Sequence, residues 1–173
     1  MTRILFVCTA NICRSAYAEL RTAQRGVEGL EVSSAGTHGW IDHPMDRPMA
    51  AELRARGVDP SGFRSRRLTK GMVDEADVVL TATAAHRTFV LQELPTAVRR
   101  TFSLGQLAAA LEAVPAGVSG QELLAAARRA RATAVSDDDV ADPFGRGQEA
   151  AAAAAAHIDE LLDRLLPRLH LSL

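Results

Sequence analysis

Long apolar runs are missing from this chain of 173 residues, and none approaches the roughly 18–20 residues that crossing a bilayer needs. Charge of one sign is missing too. A net charge of −1 gives no reason to expect a nucleic acid or an anionic membrane as partner. Lys70 is the only lysine, a compositional bias toward arginine rather than a chemical signal. The five histidines, His38, His43, His86, His157 and His170, show no metal-ligand spacing, so neither a metal nor another cofactor is expected. No internal repeat and no linker divides the chain, and its length suits a single domain with one sizeable core. Ile4–Val7 is too short an apolar stretch for a signal peptide. There are only two cysteines, Cys8 and Cys13, both in one short segment where at least one must stay reduced, and this points to the cytoplasm.

That segment, Cys8-Thr9-Ala10-Asn11-Ile12-Cys13-Arg14-Ser15, carries the chemistry. It lies between the apolar run Ile4–Val7 and the helix-like Ala16-Tyr17-Ala18-Glu19-Leu20. Backbone N–H groups of a loop between strand and helix can converge on one anion, and the helix N-terminus adds its partial positive charge. Arg14 offers a planar fork matching two phosphate oxygens. The same field favours a thiolate at Cys8, so an oxyanion site is built around its own nucleophile. Asn11 suits a loop position with positive φ. A Cys-x5-Arg spacing alone is weak evidence, but the flanking elements and Ser15 make it specific.

Along the rest of the chain, strands and helices alternate. Arg3–Val7, Leu30–Ser34, Val78–Thr81 and Arg100–Ser103 read as strands. Ala16–Gln24, Met49–Arg56 and Ala84–Glu93 read as helices, as does the long Gln148–Leu169, whose Ile158, Leu161, Leu162, Leu165 and Leu166 form a core face. The pattern predicts an α/β domain, a parallel sheet covered by helices on both faces. Within that single domain of residues 1–173, an alanine-rich helical insert around 104–135 is expected to form a surface hairpin. The acidic run before Pro143 supplies candidate proton donors; Asp142 is singled out by the proline that holds its loop in one shape, and Asp137–Asp139 read as solvated turn residues.

The chain resembles the low-molecular-weight protein tyrosine phosphatases of bacterial type, whose loop reads Cys-x-Gly-Asn-x-Cys-Arg-Ser-Pro after the first strand. The likeness continues through Ser33-Ser34-Ala35-Gly36-Thr37 with Trp40, through Arg64–Thr69 and Ala76–Thr81, and into Asp142-Pro143-Phe144. It implies a four-stranded flavodoxin-like sheet in the order 2-1-3-4. It implies hydrolysis of phosphotyrosine in proteins through a phosphocysteine on Cys8, with Arg14 binding phosphate and Asp142 as general acid. Residues Thr9 to Arg14 would cradle the phosphate, and free phosphate or other oxyanions would inhibit. Ser15 would stabilise the Cys8 sulfur, and Asn11 would be pinned by Ser15, Ser34 and a histidine. Phe63 stands at the histidine's expected place, leaving that brace incomplete. Cys13 would be a redox partner of Cys8.

Three departures from the family pattern bear on activity. Ala10 replaces a glycine, Ala16 replaces a proline, and Phe144-Gly145 replaces two aromatic residues, leaving Trp40 and Phe144 to line a phenyl ring. Arsenate reductases of this scaffold need further downstream cysteines, and none follows Cys13. Bacterial protein arginine phosphatases share the run Asp142–Gly145 but carry threonine where this chain has Ile12, so Ile12 points to phosphotyrosine. The alternatives are an arginine phosphatase, or a module that binds phosphorylated partners with weak or no turnover.

Overall fold

The computed structural model describes residues 1–131 and 138–169. Strands β1 (Thr2–Cys8), β2 (Leu30–Gly36), β3 (Val78–Thr81) and β4 (Thr101–Ser103) form one parallel sheet in the order β2-β1-β3-β4. β1 lies inside, paired with β2 from Thr2↔Leu30 to Cys8↔Gly36 and with β3 through Phe6↔Leu80. Its side chains alternate between two cores. Ile4, Phe6 and Cys8 join one face, while Leu5 and Val7 join the other. Burial on both faces explains why Ile4–Val7 is continuously apolar.

The larger core takes α1 (Arg14–Gln24), α2 (Arg47–Ala55) and α7 (Gly147–Leu169), and the smaller takes α3 (Lys70–Glu75) and α4 (Ala84–Glu93). Ile158, Leu161, Leu162, Leu165 and Leu166 of α7 are all buried, as their spacing predicts; each such side chain contributes roughly 1.5–3 kcal/mol. Asp159, on the same helix, is a junction that periodicity does not reveal. It accepts from Tyr17 Oη (2.9 Å), Arg21 Nε (2.8 Å) and Arg56 Nε (2.8 Å), tying α1 and α2 to α7. Helix α3 has no periodic signature in the sequence. Its six residues bury only Val73, too few to show a helical period, and Thr69 caps it by accepting from Met72 N–H (3.3 Å). Among the described residues no helix is long and apolar enough to cross a membrane.

Helices α5 (Leu104–Glu112) and α6 (Gly120–Arg131) make up the described part of the insert. They are more than a surface hairpin: Leu107, Leu111, Leu123 and Ala127 are buried in the larger core. The start of α5 also carries the late acidic loop. A Cβ on Gly105 would stand 2.4 Å from the carbonyl oxygen of Asp138. Gly105→Ala is therefore expected to cost about 1–2 kcal/mol, overpacking outweighing the gain in helix propensity. A urea titration checks this, and an unchanged or higher midpoint contradicts the contact.

Candidate active site

The C-terminal end of β1 delivers Cys8 to the sheet edge, and α1 begins six residues later at Arg14. Between them the loop turns at Asn11, whose φ of 57° is one of two positive values outside glycine among the described residues. The Asn11 side chain explains why that strained turn is stable. Its Nδ2 donates to Ser15 Oγ (2.9 Å) and Ser34 Oγ (2.7 Å), and its Oδ1 accepts from the Arg66 N–H (2.8 Å). The third brace expected to be missing is thus supplied by backbone, and Phe63 is a core residue. Arg66 is placed for this because its segment runs beside Gly36, with Gly36 N–H bonded to Arg66 O (2.8 Å) and Leu68 N–H to Gly36 O (2.8 Å). Gly36 itself has no room for a side chain, since a Cβ would lie 2.6 Å from Thr9 O.

These bonds set the direction of a proton chain. An amide nitrogen only donates, so Ser15 Oγ accepts from Asn11 and its own proton is free for Cys8 Sγ, 2.9 Å away. The serine can therefore stabilise a sulfur anion. Ser15 does not cap α1; Cys13 occupies the N-cap position, without a side-chain capping bond. Both cysteines are buried free thiols. Burial pushes the Cys13 thiol up, and nearby Asp46 adds to the effect, which keeps Cys13 protonated beside Cys8.

Arg14 is almost wholly buried, and its fork is only partly used. Nη1 donates to Val140 O (3.0 Å), Nη2 lies 3.5 Å from Asp142 Oδ1, and Nε has no hydrogen-bond partner among the described residues. A buried guanidinium with an unsatisfied donor is suited to an oxyanion. Asp142 is 58% exposed in its side chain, at the mouth of the site, and its Oδ1 also accepts from Phe144 N–H (3.3 Å).

Asp139 is exposed and Asp138 partly so, in keeping with solvated residues, but both also anchor the loop. Asp138 Oδ1 meets His157 Nε2 at 2.7 Å and its Oδ2 lies 3.5 Å from Arg164. Asp139 Oδ1 accepts from Ala84 N–H (2.8 Å) at the start of α4, and Val140 N–H bonds Ala82 O (3.0 Å). Ser136 and Asp137 lie outside the described residues. The partners of these aspartates come from distant elements, which no local pattern announces.

Cys8, Thr9, Ala10, Ile12, Cys13, Arg14, Trp40, Asp142 and Phe144 line one cavity of about 240 Å³. Trp40 and Phe144 meet edge to face at its wall, with centroids 5.9 Å apart. The methyl group of Ala10 is accommodated by Gly39, where a side chain would come within 3.1 Å of it; Gly39 has φ of +97°. The sequence reading did not identify Gly39 or His86, which lies 2.8 Å from Thr9 Oγ1. The site therefore joins a buried thiol, a buried guanidinium with an unpartnered donor, an exposed carboxyl and two aromatic rings in contact.

Comparison with known proteins agrees with this geometry. The family model described as low molecular weight phosphotyrosine protein phosphatase matches residues 3–117. The chain is similar to a protein-arginine-phosphatase of Geobacillus stearothermophilus, 32% identical over 96% of this chain and 95% of that one. It is also similar to the low molecular weight protein-tyrosine-phosphatase Etp of Escherichia coli (strain K12), 37% identical over 60% of this chain and 69% of that one. Among solved structures, Wzb of Vibrio vulnificus in complex with benzylphosphonate aligns with a TM-score of 0.74 at 26% identity, covering 97% of this chain and 99% of that one.

Proposed function

The chain belongs to the low molecular weight phosphotyrosine protein phosphatase family, and from that premise we propose that it hydrolyses phosphotyrosine in proteins through a phosphocysteine on Cys8. The observation that carries this reading is the cavity of about 240 Å³ that Ile12, Trp40 and Phe144 line together with the Cys8 thiol and the Arg14 guanidinium. An apolar slot with a charged floor suits a phenyl ring bearing a dianion. Benzylphosphonate, held by the relative Wzb, has the same chemistry.

In the first step the Cys8 thiolate attacks phosphorus. An S–P bond forms, the P–O bond to the phenol breaks, and Asp142 gives its proton to the departing oxygen. Arg14 and the N–H groups of Thr9 to Arg14 hold the three equatorial oxygens as charge moves across them. In the second step water attacks phosphorus, Asp142 takes a proton from it, and the sulfur leaves as a thiolate that the Ser15 hydroxyl stabilises. Inorganic phosphate and other oxyanions then compete for the same cradle. Every step uses this chain and water. Cys13 is assigned a protective role, closing a disulfide to Cys8 when the nucleophile is oxidised. A free nucleophilic thiol belongs in a reducing compartment, the cytoplasm.

A second reading has a specific observation behind it. The run Asp142-Pro143-Phe144-Gly145 and the protein-arginine-phosphatase relative both favour phosphoarginine. Ile12 argues against it: buried in the loop and lining the cavity, it offers a guanidinium no hydrogen bond. An unpaired polar group costs about 1–3 kcal/mol, so Ile12→Thr should raise the phosphoarginine-to-phosphotyrosine ratio of kcat/KM by one to two decades. Matched phosphopeptides test both points. Wild type faster on phosphoarginine makes the second reading the right one, and no release of phosphate from either peptide leaves a binding module.

A further inference from the structure

His86 is a buried titratable residue that the mechanism above does not use. It sits in the first turn of α4 and is bonded on both sides of its ring. Nδ1 lies 2.9 Å from Thr83 Oγ1 and Nε2 lies 2.8 Å from Thr9 Oγ1. Burial, reinforced by the Arg14 cation, pushes its pKa down to about 4, so at neutral pH the ring carries one proton.

Two ring tautomers fit these contacts, and the one that bears on phosphate carries its proton on Nε2. Thr83 caps α4, its Oγ1 accepting from the His86 backbone N–H (3.2 Å). In that tautomer the Thr83 oxygen accepts from the backbone N–H while its hydroxyl proton turns to His86 Nδ1. Nδ1 then accepts, and the ring proton resides on Nε2, which donates to Thr9 Oγ1. The Thr9 hydroxyl, its lone pair engaged, directs its own proton elsewhere, and Thr9 lines the cavity with Cys8 and Arg14. The arrangement parallels Asn11–Ser15–Cys8, where a fixed donor frees a hydroxyl proton for an anion.

We propose that the Thr9 hydroxyl, oriented by His86, is a further hydrogen-bond donor to a phosphoryl oxygen bound over Cys8. Thr9 is then a binding group through its side chain as well as its backbone N–H, and His86 is a positioning residue acting through it. The inference rests on the phosphate cradle of the preceding subsection.

The test is calorimetric titration with inorganic phosphate, which needs no turnover, run beside phosphate inhibition of aryl-phosphate hydrolysis. Thr9→Val removes the hydroxyl at nearly constant volume and should weaken phosphate about tenfold, the worth of one hydrogen bond to a charged group. His86→Asn keeps an amide near Nδ1 for Thr83 but cannot reach Thr9, and should lose as much. His86→Gln places its amide nitrogen where Nε2 stood and should restore most of the affinity, as should Thr9→Ser. The double variant Thr9→Val/His86→Asn should be no weaker than either single one, because both remove the same bond. Unchanged phosphate binding by Thr9→Val overturns the inference, whatever the His86 variants do to folding. Additive losses in the double variant, or a failure of Gln to rescue, overturn the positioning role of His86. Wild type that binds no phosphate overturns the cradle itself, an outcome distinct from wild-type binding that Thr9→Val retains.

Discussion

Cys8→Ser is expected to abolish turnover while the protein still folds and binds phosphate. The Cys8 thiol is the proposed nucleophile, and a neutral serine hydroxyl is a far weaker one; the loss should be on the order of 10⁴-fold or more. The substitution leaves the loop's supports in place. Asn11 keeps its bonds to Ser15, Ser34 and the Arg66 N–H, and Arg14 keeps its bond to Val140 O. Serine is smaller than cysteine, so the buried position admits it. Release of p-nitrophenol measures the loss, and a thermal melt with a phosphate titration measures what remains. Substantial residual turnover would end the phosphocysteine mechanism.

Asp142→Asn should slow aryl-phosphate cleavage by roughly 10²–10⁴-fold, the range expected for loss of a general acid. The effect can be read cleanly because asparagine still accepts from the Phe144 N–H, and the loop is held from elsewhere by Asp138, Asp139 and Val140. A phenolate of pKa near 10 leaves poorly without a proton, whereas a strongly acidic phenol leaves without help. The loss should therefore shrink as the leaving group becomes more acidic, and a plot of log kcat against leaving-group pKa should steepen. Equal losses across the series would make Asp142 a structural residue.

The contrast between these two residues also shows where sequence reasoning reached and where it stopped. Cys8 was legible because nucleophile, cradle and anion-binding fork lie within eight consecutive residues between a strand and a helix. Asp142 was legible only through its proline and its likeness to the family, since 128 residues separate it in sequence from Arg14, the partner it faces (142 − 14). Strands β1 and β3 were readable as apolar runs, and α7 from its leucine spacing. Helix α3 was not, because six residues with one buried side chain carry no period.

The sequence by itself determined the α/β class and the candidates for nucleophile, phosphate loop and proton donor, because each depends on contiguous residues or on a regular alternation of apolar and polar positions. Tertiary structure alone decided how those parts are held. The Asn11 brace closes on a backbone N–H 55 residues away, and Thr9 meets His86 across 77. Asp138 and Asp139 look like turn residues until α7 and the start of α4 are brought to them. Gly36 and Gly105 are ordinary glycines until Thr9 and Asp138 are placed 2.6 and 2.4 Å from where a Cβ would stand. Hydrogen bonds and close contacts depend on distance in space, and until the sheet forms and its helices dock, nothing in the order of residues states which distant groups will meet.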